Sequence, residues 1–397
     1  MGHYNEQVRL ASFVALRFLR RRSSPLLTAS SRAALVAVAF GVAALLVVLG
    51  LMNGYRQALQ EGILGVAGHV LLWPEAQEEA QVVDKLKGME GVVWAGAVHF
   101  LPGLLAREPG APGEVITLKA TDHLPSFSPL EAQVKAGPLP VAVGRGLAEK
   151  LQVGEGMTLF LQLAHPSGRP VYLPAQVQVV FDSGFSELRE GWLFCRKEAL
   201  LARLGPLGPG VVEVFLPDPD KAQAFSHKLE ASLGSPILVR SWSEMNRELF
   251  AALRWQKLTL ALVFSLILGV GAFEVASSLV VLITEKRREL GILQAMGAKG
   301  PWVQKTVFLT GATLGFSGVI LGLGLGLFLV GLGNLWGFPR FSPELAAVYM
   351  VQRIPWKLSL TDVLAVCGAG MAEVVIASLV TAKPLARKEP AEALRWV

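Results

Sequence analysis

The sequence predicts an α-helical integral membrane protein with four transmembrane helices and a large extracytoplasmic α+β domain. Three observations carry that expectation. The 397 residues are 52% hydrophobic and 17% charged, whereas a soluble chain of this size stands near a quarter charged. Four apolar runs are long enough to cross a bilayer. Between the first and second lies a long stretch of alternating, turn-punctuated sequence. The net charge of +6 does not point to nucleic acid, because the positive residues collect beside apolar runs, as membrane flanks do.

Residues 1–32 hold Arg9, Arg17, Arg20, Arg21, Arg22 and Arg32 against one acid, Glu6. Leu10, Phe13, Val14 and Phe18 give this segment an apolar side at helical spacing, so it reads as an interfacial basic helix rather than a disordered tail. Residues 33–52 (Ala33–Met52) carry no charge and span about 30 Å as a helix. The run is too long and begins too far in for a cleaved leader, so it reads as a retained transmembrane helix. Met52, Tyr55, Leu59 and Ile63 continue a helical stripe past it.

Residues 53–257 read as the α+β domain. Val70–Trp73, Glu114–Lys119, Met157–Leu163, Val171–Phe181 and Val211–Leu216 are strand-like, and Glu108–Gly113, Pro166–Gly168 and Gly205–Gly210 are turn-rich. Gln77–Lys87, Gly146–Leu151, Lys197–Leu204 and Lys221–Leu233 have helical patterns. The remaining transmembrane helices fall at residues 258–283, 307–332 and 363–382. They are separated by a linker at 284–306 and a short extracytoplasmic loop at 333–362, and followed by a tail at 383–397. With four spans the basic N-terminal segment, linker and tail share one side, which the positive-inside rule makes cytoplasmic. Both termini are then inside and the large domain outside.

No chemistry of the chain's own is visible. GxxxxGK[ST], HExxH and GxSxG are all absent, and the six histidines lack ligand spacing. Cys195 and Cys367 sit in unlike settings without a CxxC, which argues against a disulfide framework or metal site. The expectation is a non-enzyme with no cofactor or metal of its own.

The linker is the most distinctive stretch. In TEKRRELGILQAMGAKG (Thr284–Gly300), charged residues precede a ladder of Leu290, Leu293 and Met296 at three-residue steps. Such a helix either lies in the headgroup layer or presents its face to a soluble partner. In the third span Gly311, Gly315, Gly318 and Gly322 form small-xxx-small pairs for close helix packing. Glu274 and Glu373 interrupt the second and fourth spans. They mark a substrate or proton path, or else face a wet cavity or an interface.

Several segments together resemble the LolC/LolE-type lipoprotein-releasing ABC transporter permeases of the FtsX/MacB-like permease superfamily. GVAALLVVLGLMNGY (Gly41–Tyr55) is similar to that family's first span. AVGRGLAEKLQVGEG (Ala142–Gly156), the entry to the second span within Leu249–Glu285, EKRRELGILQAMGA in the linker and PAEALR (Pro390–Arg395) follow in the family's order. Two departures stand out: Glu274 occupies a position where the family tends to have Asn, and TAKPLARK (Thr381–Lys388) is looser than the usual approach to PAEALR.

The resemblance implies a type VII ABC transporter permease with a MacB-like periplasmic domain in the bacterial inner membrane. Implied partners are a LolD-like ATPase dimer carrying ATP and Mg, a second permease subunit, a lipoprotein substrate, a periplasmic carrier and membrane lipids. It further implies that Arg287, Arg288, Glu289, Leu290, Leu293, Met296 and Gly297 dock the ATPase. Met52, Tyr55 and Glu274 would line a cavity, and His165, Pro166 and Arg169 would tip a carrier-binding hairpin. Alternatives on the same fold are a MacB-like exporter or an FtsX-like regulator of cell-wall hydrolases. A further one is a membrane-anchored sensor or scaffold without ATPase, whose linker helix rests on the bilayer.

Overall fold

The structure, a computed structural model, describes residues 25–75, 77–125, 130, 137–164, 169–233 and 237–386. In chain order it opens with helix α1 (Pro25–Leu64), strand β1 (Val70–Trp73), α2 (Glu79–Lys87), β2 (Trp94–Ala106), β3 (Glu114–Ala120) and β4 (Leu139–Gly144). Next come α3 (Arg145–Leu151), β5 (Thr158–Ala164), β6 (Pro170–Phe181), α4 (Ser186–Gly191), β7 (Trp192–Cys195) and α5 (Lys197–Leu204). Then follow β8 (Val211–Phe215), α6 (Ala222–Leu233), β9 (Leu238–Ser241) and α7 (Trp242–Met245). The chain continues through α8 (Arg247–Glu285), α9 (Arg287–Ala295), α10 (Gly300–Trp336), α11 (Pro343–Tyr349) and α12 (Leu360–Ala382). The chain divides into two compact units.

One unit comprises the chain up to Gly54, Arg254–Phe338 and the chain from Pro355. Among the described residues four helices, α1, α8, α10 and α12, are long and apolar enough to cross a membrane. All four run beyond the spans expected from hydropathy. Pro25–Arg32, expected as part of a separate interfacial helix, is continuous with α1, while residues 1–24 lie outside the described residues. Val38, Val42, Leu46, Leu268, Leu279, Val319 and Val374 form the centre of the packed bundle.

Close approaches set the helix directions. Gly41 faces Leu268, a Cβ on Gly271 would stand 2.9 Å from the Val38 nitrogen, and Ser31 Oγ lies 3.3 Å from Ser278 Oγ. The two helices α1 and α8 are therefore antiparallel. Gly318, Gly322 and Gly326 of α10 meet Val38, Ala39 and Leu46 in turn, so α10 runs parallel to α1. Gly311 and Gly315 meet Ser378 and Val374 of α12, which is antiparallel to α10. The N-terminal end of α1, the α8–α10 linker and the C-terminal end of α12 thus share one face of the bundle. Those are the three basic segments.

The other unit comprises Tyr55–Leu253 and Pro339–Ile354. Among the described residues, nine strands are ordered β3-β7-β4-β6-β5-β2-β8-β1-β9, and a further β3–β2 pairing closes the first six into a barrel. Strand β2 makes this possible by its length. Its first half pairs with β8 (Trp94–Val98) and its second half with both β3 and β5. The inward residues alternate: Leu159, Leu161 and Leu163 are buried on β5, between the exposed Thr158, Phe160 and Ala164. Leu105, Ile116, Leu118, Leu139, Val141 and Leu193 join them in the barrel core. A second core under α2 and α6 collects Leu72, Val82, Leu86, Val214, Leu229 and Trp242.

A buried ion pair joins barrel to open sheet. Lys119 Nζ of β3 lies 2.8 Å from both carboxylate oxygens of Glu213 of β8, donates to the Val66 carbonyl, and stands 5.4 Å from the Phe100 ring centroid. All three ammonium donors are used, which is what lets so polar a group sit without water. Burial pushes the Glu213 carboxyl up, against the opposing pull of Lys119.

Candidate functional site: the linker helix and the bundle it joins

The expected linker helix forms as α9, separated from α8 only by Lys286. Lys286 Nζ pairs with Glu289 Oε1 at 2.6 Å. At the other end the Ala298 nitrogen donates to the Leu293 carbonyl (3.0 Å) and the Gly297 nitrogen to that of Gln294 (2.9 Å), with Gly297 at φ 102°. This is a Schellman cap, and its left-handed residue is why a glycine follows Met296. Pro301 then opens the first turn of α10.

The ladder Leu290, Leu293, Met296 does not lie on one face. Leu290 and Gly291 are buried and Leu293 is half-buried, whereas Met296 is 80% exposed. The outward stripe is Arg288, Ile292, Ala295 and Met296, the i, i+4, i+7, i+8 pattern of a single helix face. Arg287, Glu289 and Gly297 are also exposed. Sequence reasoning overlooked Ile292, although its four-residue spacing to Met296 was the available signal.

In α10 the glycines divide their work. A Cβ on Gly315 would run into Val374, and one on Gly322 would stand 2.6 Å from the Ala39 carbonyl oxygen, while Gly324 meets nothing within 4 Å. Gly311 and Gly315 therefore seat α12, and Gly318 and Gly322 seat α1. Packing this close is how membrane helices gain van der Waals energy without a hydrophobic drive.

Met52, Tyr55 and Glu274 do not meet. The α1–α8 pairing puts Glu274 level with the turn around Leu35, and Met52 level with Lys257, ten residues into α8. At 1.5 Å rise per residue these levels are about 25 Å apart. Tyr55 donates to the Tyr349 carbonyl at 3.2 Å and contacts that ring edge-on. Glu373 Oε2 is buried without a hydrogen-bond partner among the described residues, opposite Gly269 of α8. Not expected from sequence was a polar cluster of three helices: Asn53 of α1, Lys257 of α8 and Asp362 of α12, with Lys257 Nζ 2.9 Å from Asn53 Oδ1. The signal was a charge at the edge of each of two spans that enter from the same side.

The hairpin of β5 and β6 closes at Ala164–Pro170. His165 and Pro166 lie outside the described residues. Arg169 is exposed and lines a cavity of about 400 Å³ with Pro102, Leu104, Gln162 and Pro170. No group of three or more His, Cys, Asp or Glu side chains among the described residues can hold a metal ion. Cys195 and Cys367 are free thiols, and burial pushes the Cys195 thiol up.

Residues 261–390 match the family described as FtsX-like permease C-terminal. The chain is 25% identical over 417 residues to the lipoprotein-releasing system transmembrane protein LolC of Xylella fastidiosa, covering 98% of this chain and 99% of that protein. It is 23% identical over 424 residues to LolE of Haemophilus influenzae, covering 96% and 98%. Among solved structures, the periplasmic region of MacB from Actinobacillus actinomycetemcomitans matches 49% of this chain and 97% of its own, at 11% identity and a TM-score of 0.31. Residues 261–390 are thus similar to the FtsX-like permease C-terminal family, and nearly the whole chain is similar in sequence to the LolC and LolE proteins.

Proposed function

We propose that this chain is the permease subunit of an ATP-driven transporter that lifts lipoproteins from the outer leaflet of the bacterial inner membrane and hands them to a periplasmic carrier. The observation that carries the reading is the near-complete coverage of LolC in both directions, 98% of this chain and 99% of that protein. A shared bundle alone would fit other cargoes.

In this reading the basic face of the bundle is cytoplasmic and the α+β unit is periplasmic. Work enters from a separate ATPase dimer that binds ATP and Mg. The exposed stripe Arg288, Ile292, Ala295 and Met296 of α9 enters its groove, with Arg287 and Glu289 beside it, while Leu290 and Leu293 tie the helix to the permease. Movement of α9 passes into α8 and α10, which its short connections leave little freedom to lag. A second permease subunit completes the assembly. Arg169 and the hairpin of β5 and β6 meet the carrier.

The test is purification of the full chain in mild detergent from its own host, followed by mass spectrometry of what is retained. The expected set is a nucleotide-binding subunit, a second permease and a diacylated or triacylated lipoprotein. Retention of a membrane-fusion protein or a cell-wall hydrolase in place of lipoprotein would overturn the cargo assignment. A folded permease that retains no nucleotide-binding subunit would overturn the coupling assignment.

A further inference from the structure

The arm between α10 and α12 exposes more apolar surface than a loop needs. Helix α11 buries Ala346 and turns Leu345 and Val348 outward, the latter 73% exposed, and the residues that end it, Tyr349 and Met350, are exposed as well. Single exposed apolar residues are ordinary on a protein surface. Four within one short helix and its cap are not, particularly where the backbone is held to present them. Met350 stands at φ 61°, a left-handed conformation that a side-chain-bearing residue adopts only when its surroundings hold it. Here the hold is visible: the Ser186 nitrogen donates to the Met350 carbonyl at 2.9 Å, Val351 bridges Phe185, and the Gln352 nitrogen donates to the Gly184 carbonyl.

Charge and chain connection identify the surface this arm meets. Arg340 and Arg353, both exposed, bridge each other in antiparallel register at the base of the arm. Glu344 is the lone acid on α11, and it is engaged by Ser342. The chain enters the arm from Trp336 and Phe338, both exposed at the end of the membrane helix α10, and leaves it into the membrane helix α12 at Leu360. An apolar helical face flanked by aromatic and basic residues, tethered on both sides to membrane spans, has the make-up of a segment that lies in the headgroup layer. The arginines suit the phosphates found there.

We propose that Phe338–Arg353 is a lipid-surface arm, with Leu345, Val348 and Met350 buried among the upper acyl chains and Arg340 and Arg353 at the phosphates. Through Gly184–Ser186 the arm is bonded to the α+β unit, so that unit holds the bilayer by a contact of its own in addition to its covalent joins to α1 and α8. This inference stands whether or not lipoproteins are the cargo.

The test uses the full chain in nanodiscs, with Cys367→Ala to remove the accessible thiol and a nitroxide spin label attached at Val348→Cys. Collision with oxygen should exceed collision with a water-soluble nickel chelate, placing the label at the acyl–headgroup boundary. A label at Lys228→Cys, on the exposed side of α6, should show the reverse. Leu345→Cys repeats the measurement should the first variant fold poorly. A label at Val348 or Leu345 that matches the aqueous Lys228 site overturns the proposal. So does one shielded from both reagents, which would mark a protein partner such as a second permease.

Discussion

Lys257 of α8 donates to both carboxylate oxygens of Asp362 of α12, at 2.9 and 3.0 Å, while a third donor reaches Asn53 of α1. Three spans are thereby tied at one level by a single ammonium group. Lys257→Met leaves the largely buried Asp362 carboxylate with the Asn53 amide as its remaining side-chain donor, and the Asn53 carbonyl oxygen without the ammonium. Removing one partner of such a charged hydrogen bond costs about 1–3 kcal/mol. Thermal unfolding of Lys257→Met, Asp362→Asn and the double variant should give a coupling of about 0.5–3 kcal/mol. Strictly additive losses would show that the two side chains do not act together.

Glycines in α10 should respond oppositely to the same kind of change. Gly315→Val drives two methyls into Val374 of α12, and overpacking of this kind costs about 1–3 kcal/mol. Gly324→Ala meets nothing and removes a flexible residue from a helix interior, worth up to about 1 kcal/mol in favour of the fold. Comparing melting temperatures in one detergent checks both. Equal losses from the two substitutions would mean that the stripe acts through helix propensity and not through contact.

Burial lowers the pKa of His69, His99 and His123 below the ordinary value of 6.5, with the positive Lys119 adding to the effect at His123. A depressed histidine is neutral in the folded chain, so its contribution is present above pH 6.5 and is lost as pH falls through the lower folded value. His123 stacks on Trp94 at 5.0 Å and tilts against Phe215 at 4.6 Å. His123→Phe keeps that ring contact and removes the titration. Its stability should therefore fall less than that of the unaltered chain as the buffer is taken below pH 6.5. Parallel curves would exclude His123 from the acid response.

Much of this architecture was legible because its cause is local. The apolar runs had to be spans, and β1 and α5 were expected at Val70–Trp73 and Lys197–Leu204, where they stand. Other elements escaped because their cause is distant. Strand β2 was not among the expected strands, and it contains Gly96, Pro102 and Gly103, residue types that ordinarily weaken or interrupt a strand. It persists as a strand because it changes partner from β8 to β3 and β5 along its length. The segment Pro339–Ile354 read as a plain loop, yet it packs into the α+β unit through Phe185, far away in sequence. In the linker, periodicity found the helix but chose a face by three-residue steps. Which side is buried depends on neighbours that a local pattern does not contain. The Asn53–Lys257–Asp362 cluster needed the relative levels of three helices, which hydropathy does not supply.

Because α9 turns one side toward its own chain and another outward, substitutions on the two sides should separate folding from coupling. Leu290 is buried, so Leu290→Asp places a charge where no partner waits and should lower the melting temperature outright. Ile292 is 48% exposed and Met296 80% exposed, so Ile292→Asp and Met296→Asp should leave the isolated permease as stable as before. If the outward stripe meets the ATPase, each of these two should weaken its co-purification with the permease, since charged groups at the centre of an apolar contact are desolvated without compensation. Gly297→Ala gives an intermediate case. It forces a side chain into the left-handed region at φ 102°, costs about 1–2 kcal/mol, and loosens the cap that fixes where α9 ends and α10 begins. The measurement pairs a melting temperature with the amount of ATPase retained on the permease after gel filtration. Full retention by Ile292→Asp and Met296→Asp would move the contact off this helix face.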